Sequence, residues 1–235
     1  VTLVVDLEES KTIFATEGKD SQTVGKFKDD LIEHGGSPES IKHISCDMSP
    51  AFIKGVNENF PGSDITFDKF HIIKVLNTAV DEVRRQEQKE HPELKNTRYI
   101  FLKNPENLTQ KQSGILEELK IKDLNLKTMR AYHIRLNFQE FWQQPIDKAG
   151  HFLKKWYYWA THSRLDPIIE AANTIKQHWD GILNWFKSNI NNGIFEGINS
   201  MVQAAKARAR GYRTNKYLIA MIYLLTGKLK LNLPA

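Results

Sequence analysis

The sequence predicts an α/β protein in which a small, partly parallel sheet precedes a long helical region. Two observations lead to this class. In roughly the first 90 residues, short runs rich in β-branched side chains alternate with segments of helical periodicity, an order typical of α/β layers. Beyond that point strand patterns disappear and the helical pattern continues almost to the end.

Two strands are predicted where the sequence opens. Residues 1–7 (VTLVVDL) and 11–16 (KTIFAT) are rich in valine and threonine, and the polar stretch between them is short enough for a hairpin. We therefore expect an antiparallel pair. Because the first residues already have strand character and no methionine precedes them, we expect the sequence to be an excised fragment.

A helix and two further strands follow the predicted hairpin. Residues 21–34 have helical apolar spacing, with Ser21 as a possible cap and two glycines, 35 and 36, as a stop. Strands are predicted over 41–46 (IKHISC) and 64–70 (DITFDKF), with a helix over 48–59 between them. This alternation predicts that part of the sheet is parallel.

The region from 93 to 187 is predicted to be several helices joined by short turns. It contains every tryptophan of the chain: Trp142, Trp156, Trp159, Trp179 and Trp185. The dense run 156–159 favours core packing, and stacking of Trp156 or Trp159 on an unpaired base remains the alternative. A final long helix is predicted over 194–225.

Basic residues concentrate at the carboxyl-terminal end. The net charge is +5, and no Asp or Glu occurs from Gly197 onward, where the cations are Lys206, Arg208, Arg210, Arg213, Lys216, Lys228 and Lys230. On a continuous helix, positions 206, 210 and 213 share one face. A face without compensating acids suits a nucleic-acid backbone, and a simple solvated surface remains the alternative.

Several classes of function and location are disfavoured. The single cysteine, Cys46, excludes an internal disulfide and a cysteine-rich zinc site. No apolar run reaches the roughly 18 residues of a membrane span, and no signal peptide opens the chain, so we expect a cytoplasmic protein without a membrane partner. No P-loop, dinucleotide fingerprint or serine-nucleophile motif is present.

Two carboxylates are the leading candidates for chemistry. Asp47 follows a predicted strand, at the edge where α/β sheets place their ligands, although an Asp there also suits a helix cap. Glu196 lies in the first turn of the final helix, a position that the helix dipole favours in any case. Asp68 and His71 end the last strand and suit a supporting role around a metal site, or plain packing.

Five motifs occur in an order that resembles one known family over essentially the whole chain. They are residues 45–52 (SCDMSPAF), 60–61 (FP), 67–72 (FDKFHI), 192–199 (NGIFEGIN) and 207–212 (ARARGY). The family is the ISL-three group of bacterial insertion-sequence DDE transposases. The resemblance implies an RNase H-like mixed sheet with a large all-helical insertion before the last catalytic helix.

This resemblance divides the chain into a first core part over 1–92, a helical insertion over 93–187 and a carboxyl-terminal core part over 188–235. In the family, three acids hold two divalent ions, Mg²⁺ or Mn²⁺, that drive cleavage and strand transfer of DNA. By motif match Asp47 is the second acid and Glu196 the third. The implied partners are double-stranded DNA, at element ends and at the target, and further copies of the chain.

The first acid has no clear match. The family places it on a strand before the one that matches residues 1–7, which implies that this chain lacks it and is catalytically incomplete. The alternative is that Asp6, which also ends a strand, is itself the first acid. Two other functions therefore stay open: an inactive transposase-derived DNA-binding protein, and an RNase H-like nuclease.

Overall fold

The chain divides into two units, and the computed structural model describes residues 1–121, 126–190 and 193–229. The first unit combines residues 1–68 with 187–235, and the second spans residues 69–186. Three residues singled out by the sequence, Asn191, Asn192 and Lys230, lie outside the described residues.

Four strands form two small sheets in the described part of the first unit. They are β1 (Thr2–Asp6), β2 (Lys11–Thr16), β3 (His43–Cys46) and β4 (Asp64–Phe67). β1 and β2 pair antiparallel, as predicted, and β3 and β4 pair parallel. The α/β class with a partly parallel arrangement is therefore confirmed, but these residues form two two-stranded sheets and not one mixed sheet.

The described residues contain twelve α-helices. In chain order they are α1 (Ser21–Glu33), α2 (Pro50–Asn59), α3 (Lys69–Glu87), α4 (Arg98–Leu102), α5 (Gln110–Ile121), α6 (Lys127–Glu140), α7 (Ile146–Thr161), α8 (Asp166–Gln177), α9 (Trp179–Leu183), α10 (Trp185–Ser188), α11 (Gly193–Arg208) and α12 (Asn215–Thr226). None of them has the length and apolar character that a membrane crossing requires.

The boundaries of α1 follow local backbone chemistry. Its cap is Asp20, whose side chain accepts from the Thr23 amide, so the prediction of Ser21 as cap is wrong by one residue. Ser21 already has helical geometry, whereas Asp20 is extended and can turn its carboxylate back. The predicted glycine stop is confirmed, because the amides of Gly35 and Gly36 bond the last open carbonyls of the helix.

The predicted continuous helix over 194–225 is wrong. α11 ends at Arg208 and α12 begins at Asn215. Between them Arg210 and Gly211 have left-handed backbone, with φ of 53° and 94°. Their amides bond the carbonyls of Ala207 at 3.0 Å and Lys206 at 2.8 Å, which is the Schellman arrangement that ends a helix.

The first unit has two hydrophobic clusters. Phe14, Phe27, Val56 and Phe60 form one, and side chains from both sheets, Val4 and Ile44 among them, pack against it. The other joins β2 to α11 and α12 through Ala15, Val202 and Ile222. The Tyr223 hydroxyl also accepts from the Ala15 amide at 2.9 Å, so α12 satisfies a backbone donor of β2.

Side-chain contacts also join β4 to the returning chain within the first unit. The hydroxyls of Thr66 and Ser188 lie 3.1 Å apart, and Lys187 pairs with Asp64 at 3.8 Å. Residues more than 120 positions apart in sequence are thereby brought together on β4. No local sequence pattern marks Thr66 or Ser188 for this role.

The second unit is helical throughout its described residues. Its central helix is α3, which packs against α4, α6 and α8. The sequence-based division placed these residues in the first core part, up to residue 92, whereas here α3 lies within the helical unit. Buried side chains along its length, from Ile72 to Glu87, explain this placement, because they need the neighbouring helices as cover.

Candidate functional site

Asp47 directly follows β3 and is partly buried. Its Oδ1 accepts from the Ser49 amide at 2.9 Å, and Ser49, not Asp47, occupies the N-cap position of α2, without a side-chain capping bond. The alternative that Asp47 caps this helix is therefore wrong. Its carboxylate shapes the turn between strand and helix, and its Oδ2, at the carboxyl end of the strand, makes no hydrogen bond or ion pair with a described residue.

Asp68 occupies the equivalent position after β4. Cys46 is the register partner of Phe67, and the Asp68 amide continues the pairing by donating to the Cys46 carbonyl at 3.1 Å. Neighbouring strands lie about 4.8 Å apart. Asp47 and Asp68 therefore follow adjacent strands at the same edge of the parallel sheet, as the supporting role predicted for Asp68 requires.

The pKa of the Cys46 thiol depends on burial and on the neighbouring charge of Asp47. Burial raises the pKa of the Cys46 thiol to about 12, and the negative charge of Asp47 acts in the same direction. The thiol is therefore protonated at neutral pH, and it is a poor metal ligand in that form. This leaves carboxylate oxygens as the candidate metal donors at this edge of the sheet.

Glu196 lies in the first turn of α11 and is exposed. Its carboxylate makes no hydrogen bond or ion pair with any residue that the structure describes. Ile198 and Val202, two and six residues further along, are buried and anchor the helix. Glu196 and Asp47 are 149 positions apart (196 − 47), yet both belong to the first unit. The residues of the second unit account for most of the sequence between them.

Asp6 ends β1, and its side chain stabilises the hairpin turn that follows. Its Oδ1 accepts from the amides of Glu8 at 2.9 Å and Glu9 at 3.0 Å. Within the described ranges no three histidine, cysteine or acidic side chains form a group that could hold a metal ion. Asp6, Asp47 and Glu196 are therefore not gathered into such a group, and the donor set for a metal centre is incomplete in these residues.

His71 belongs to the second unit, on α3. Its ring meets the exposed ring of Phe70 edge-on, with centroids 5.7 Å apart. A supporting role for His71 beside Asp47 thus stays a prediction.

The basic segment, residues 206–216, surrounds the turn between α11 and α12. Lys206 and Arg208 close α11, Arg210 and Arg213 lie in the turn, and Lys216 opens α12. All five side chains are exposed, and none pairs with an acid in the part of the chain that is described. The prediction that positions 206, 210 and 213 share one helix face is wrong, because the helix ends before Arg210.

A family model described as a transposase, that of the ISL-three group, matches residues 1–222. A transposase for insertion sequence element IS1001 of Bordetella parapertussis is 28% identical over 229 residues, which cover 94% of this chain and 56% of that protein. A transposase for insertion sequence element IS1557 of Mycobacterium tuberculosis is 26% identical and aligns with 100% of this chain and 58% of its own length. No solved structure matches.

These likenesses place the chain among enzymes named as transposases, in agreement with its mixed α/β fold. The chain belongs to the ISL-three family of DDE transposases. It spans somewhat more than half the length of the curated relatives that it matches.

Proposed function

We propose that this chain is the catalytic core of an insertion-sequence transposase that cleaves DNA at the element ends and joins them to a target. Asp47 and Glu196 are proposed as two acidic ligands of the divalent ions, Mg²⁺ or Mn²⁺, of which two are expected. The observation that carries the proposal is the return of Glu196 to the unit of Asp47 after the whole helical unit. The proposed setting is the cytoplasm, with several copies of the chain on double-stranded DNA.

The metal centre requires at least one further acid. The described residues supply no group of three ligands, so no chemical step is assigned to a bound ion here. The proposed source of the missing acid is polypeptide outside this sequence, since the curated relatives are longer. Asp6 is the alternative, and its engagement with the amides of Glu8 and Glu9 weighs against it.

An RNase H-like sheet is proposed on the strength of the open edges of β1 and β3 among the described residues. Among the described residues β1 pairs only with β2 and β3 only with β4, yet both sheets pack on one hydrophobic cluster. A strand from the same source as the missing acid, placed between β1 and β3, would join them into one mixed sheet. We expect slower amide hydrogen exchange in β1 and β3 in the longer polypeptide, and equal rates would refute the arrangement.

The basic segment is the proposed grip on the DNA backbone. It lies at the far end of the helix that begins beside Glu196, and its five exposed cations have no acidic partners among the described residues. Arg and Lys in this setting bind phosphates and release counterions from the duplex. The cations at the end of α11 would hold the phosphates, and Glu196 at its start would bind the metal ion. This arrangement suits an enzyme that cuts the strand it holds.

The decisive experiment is cleavage and joining of labelled element ends by the full-length protein with Mg²⁺ or Mn²⁺. We expect Asp47→Asn and Glu196→Gln each to abolish nicking while DNA binding persists. Asp29→Asn and Glu33→Gln are the matched controls, because both are exposed acids on α1 in the same unit. Retained nicking in either site variant, or its loss in the controls, would refute the assignment.

A second function, DNA binding without catalysis, is favoured by the absence of a three-ligand group among the described residues. It predicts that the full-length protein binds element ends and never nicks them, with either metal ion. A nuclease that cuts without joining is separated by the same assay, because only a transposase produces labelled strand-transfer products. Products of the expected length would exclude both alternatives.

A further inference from the structure

A groove of about 620 Å³ lies between α6 and α7 within the helical unit. On α6 its lining residues recur on one face, at positions 130, 133, 134 and 137, and on the opposite side it is closed by Trp159, His162 and Ser163. Pockets of a few hundred Å³ or more with some converging polar groups are typical of small-ligand sites. The sequence singled out Trp159 but not the α6 wall, because the two walls are separate helices.

Two neighbouring tryptophans near the groove differ in their exposure to solvent. Trp156 is 1% exposed and belongs to the core, where its Nε1 donates to the Ile134 carbonyl at 2.9 Å. Trp159, three residues later on α7, is 43% exposed and forms a wall of the groove. A large indole left in solvent beside a cavity forgoes stabilisation that burial would supply, and an aromatic face of this kind suits a planar ring as partner.

The polar side chains of the groove can contact a phosphate and the edge of a base. Arg130 and His133 are exposed on the α6 wall, and neither side chain makes a hydrogen bond or ion pair with a described residue; the His133 ring lies 6.1 Å from the ring of Tyr132. His162 uses Nδ1 on the Tyr158 carbonyl at 2.7 Å, which leaves Nε2 for a ligand. Asn137 and Glu140 form one amide–carboxylate pair at 3.3 Å, and together they offer both donors and acceptors.

The groove is preformed. The bond from Trp156 to Ile134 ties α7 to α6 directly beneath it, and the Phe138 ring packs against Trp156 with centroids 4.7 Å apart. The ring of Tyr158 stacks on His162 at 3.9 Å and supports that wall. A ligand would therefore enter a site whose walls are already held in place, which lowers the entropy lost on binding.

We propose that this groove binds a single unpaired nucleobase of DNA, with Trp159 as its stacking surface and with Arg130 and His133 at the adjoining phosphate. The inference rests on the proposed function, since it takes the partner to be DNA. Stacking suits any base, and a groove of this size has no room for a duplex. The site thus selects DNA from which one base has left the helix.

The test compares two DNA duplexes of equal length, one fully paired and one with a single unpaired base, both binding to the 235-residue chain. We expect Trp159→Ala to weaken binding of the unpaired-base duplex by about 5- to 150-fold, the range expected for one stacked base. Binding of the paired duplex should change less than about twofold. A fluorescent purine analogue at the unpaired position should be quenched by the wild-type protein and not by the variant.

Two further variants keep the result interpretable. Tyr99→Ala is the matched control, because Tyr99 is an aromatic residue of the helical unit that is also exposed, at 62% against 43% for Trp159, and lies outside the groove. Arg130→Gln leaves the core untouched and should weaken binding of the unpaired-base duplex alone. Equal losses on both duplexes, no loss in Trp159→Ala, or a loss in Tyr99→Ala as large as that in Trp159→Ala would overturn the proposal.

The source of the base and the wider function are tested separately. A free deoxynucleoside monophosphate should compete poorly with the unpaired-base duplex, and competition at equal concentration would assign the groove to a mononucleotide instead. Loss of nicking in the metal assay leaves this binding measurement unaffected. A failure of the proposed chemistry can therefore be distinguished from a failure of the groove assignment.

Discussion

At the scale of single residues, buried polar groups show how the chain satisfies its own backbone. Glu87 on α3 accepts from the amides of Lys127 and Thr128 at 2.7 and 2.8 Å and from the Thr128 hydroxyl at 2.7 Å. It thereby caps α6, whose own cap position, Leu126, has no side-chain acceptor. A carboxylate from a distant helix replaces the local cap, which the sequence of α6 does not reveal.

We expect Glu87→Gln to lower the free energy of unfolding by about 1–3 kcal/mol, because one buried acceptor is lost and the negative charge at the start of α6 disappears. Thermal unfolding followed by circular dichroism measures the effect. Glu82→Gln is the control, since Glu82 is exposed on the same helix, and it should change stability by no more than about 0.5 kcal/mol. Equal shifts in the two variants would contradict the capping role.

The Cys46 thiol should titrate abnormally. Because burial raises its pKa from 9.0 to about 12, the folded state holds the proton more tightly than the unfolded state does. The resulting stabilisation is complete below pH 9 and is lost as pH rises towards 12. The rate of alkylation, measured against pH, should therefore stay low up to about pH 11 in the folded protein and rise near pH 9 in denaturant.

Asp47→Asn tests the contribution of the Asp47 charge to the raised pKa of Cys46. Removing the carboxylate charge should lower the alkylation midpoint of Cys46, since Asp47 raises the pKa of the thiol. Asp29→Asn should leave the midpoint where it was. An unchanged midpoint in Asp47→Asn would mean that the carboxylate does not face the buried thiol.

At the scale of elements, the break between α11 and α12 decides how the basic segment is presented. A continuous helix would place positions 206, 210 and 213 on one face, whereas the Schellman ending places Arg210 and Arg213 in a turn flanked by the helix ends. The signal for this break, the Arg-Gly pair at 210 and 211, is local. The helical periodicity on either side concealed it.

We expect replacement of Arg208, Arg210 and Arg213 by Gln to weaken duplex binding and to flatten its dependence on salt. Each phosphate contact contributes roughly 0.9 to the slope of log affinity against log salt concentration, so three contacts remove up to about 3. Binding measured across a salt series checks this. A variant with Lys19, Lys26 and Lys54 changed to Gln, all exposed cations of the same unit, should keep the wild-type slope.

At the scale of the whole molecule, the helical unit has the form of an inserted domain. Its first residue, Lys69, lies over the ring of Trp185 near its last residue, at 5.8 Å. Chain ends that meet in this way allow a domain to be inserted into a host without distorting it. The buried side chains of α3 pack inside this helical unit.

We expect the isolated segment 69–186 to unfold cooperatively, and the segment 93–187 to show no cooperative transition. The shorter segment lacks α3, so α6 loses both its packing partner and the Glu87 cap. Differential scanning calorimetry of the two segments makes the comparison. A cooperative transition in 93–187 would favour the boundary at residue 92 over the boundary at residue 68.

Local patterns were enough to predict the order of strands and helices in the first 90 residues, the helical character of the following region and the places of Asp47 and Glu196 at element ends. These depend on residue preference and periodicity over a few neighbours. Long-range packing was needed to assign α3 to the helical unit, to make Glu87 the cap of α6, and to bury Trp156 while Trp159 faces a groove. A repeating pattern shows which face of a helix is apolar, but the element that covers this face lies far away in the chain.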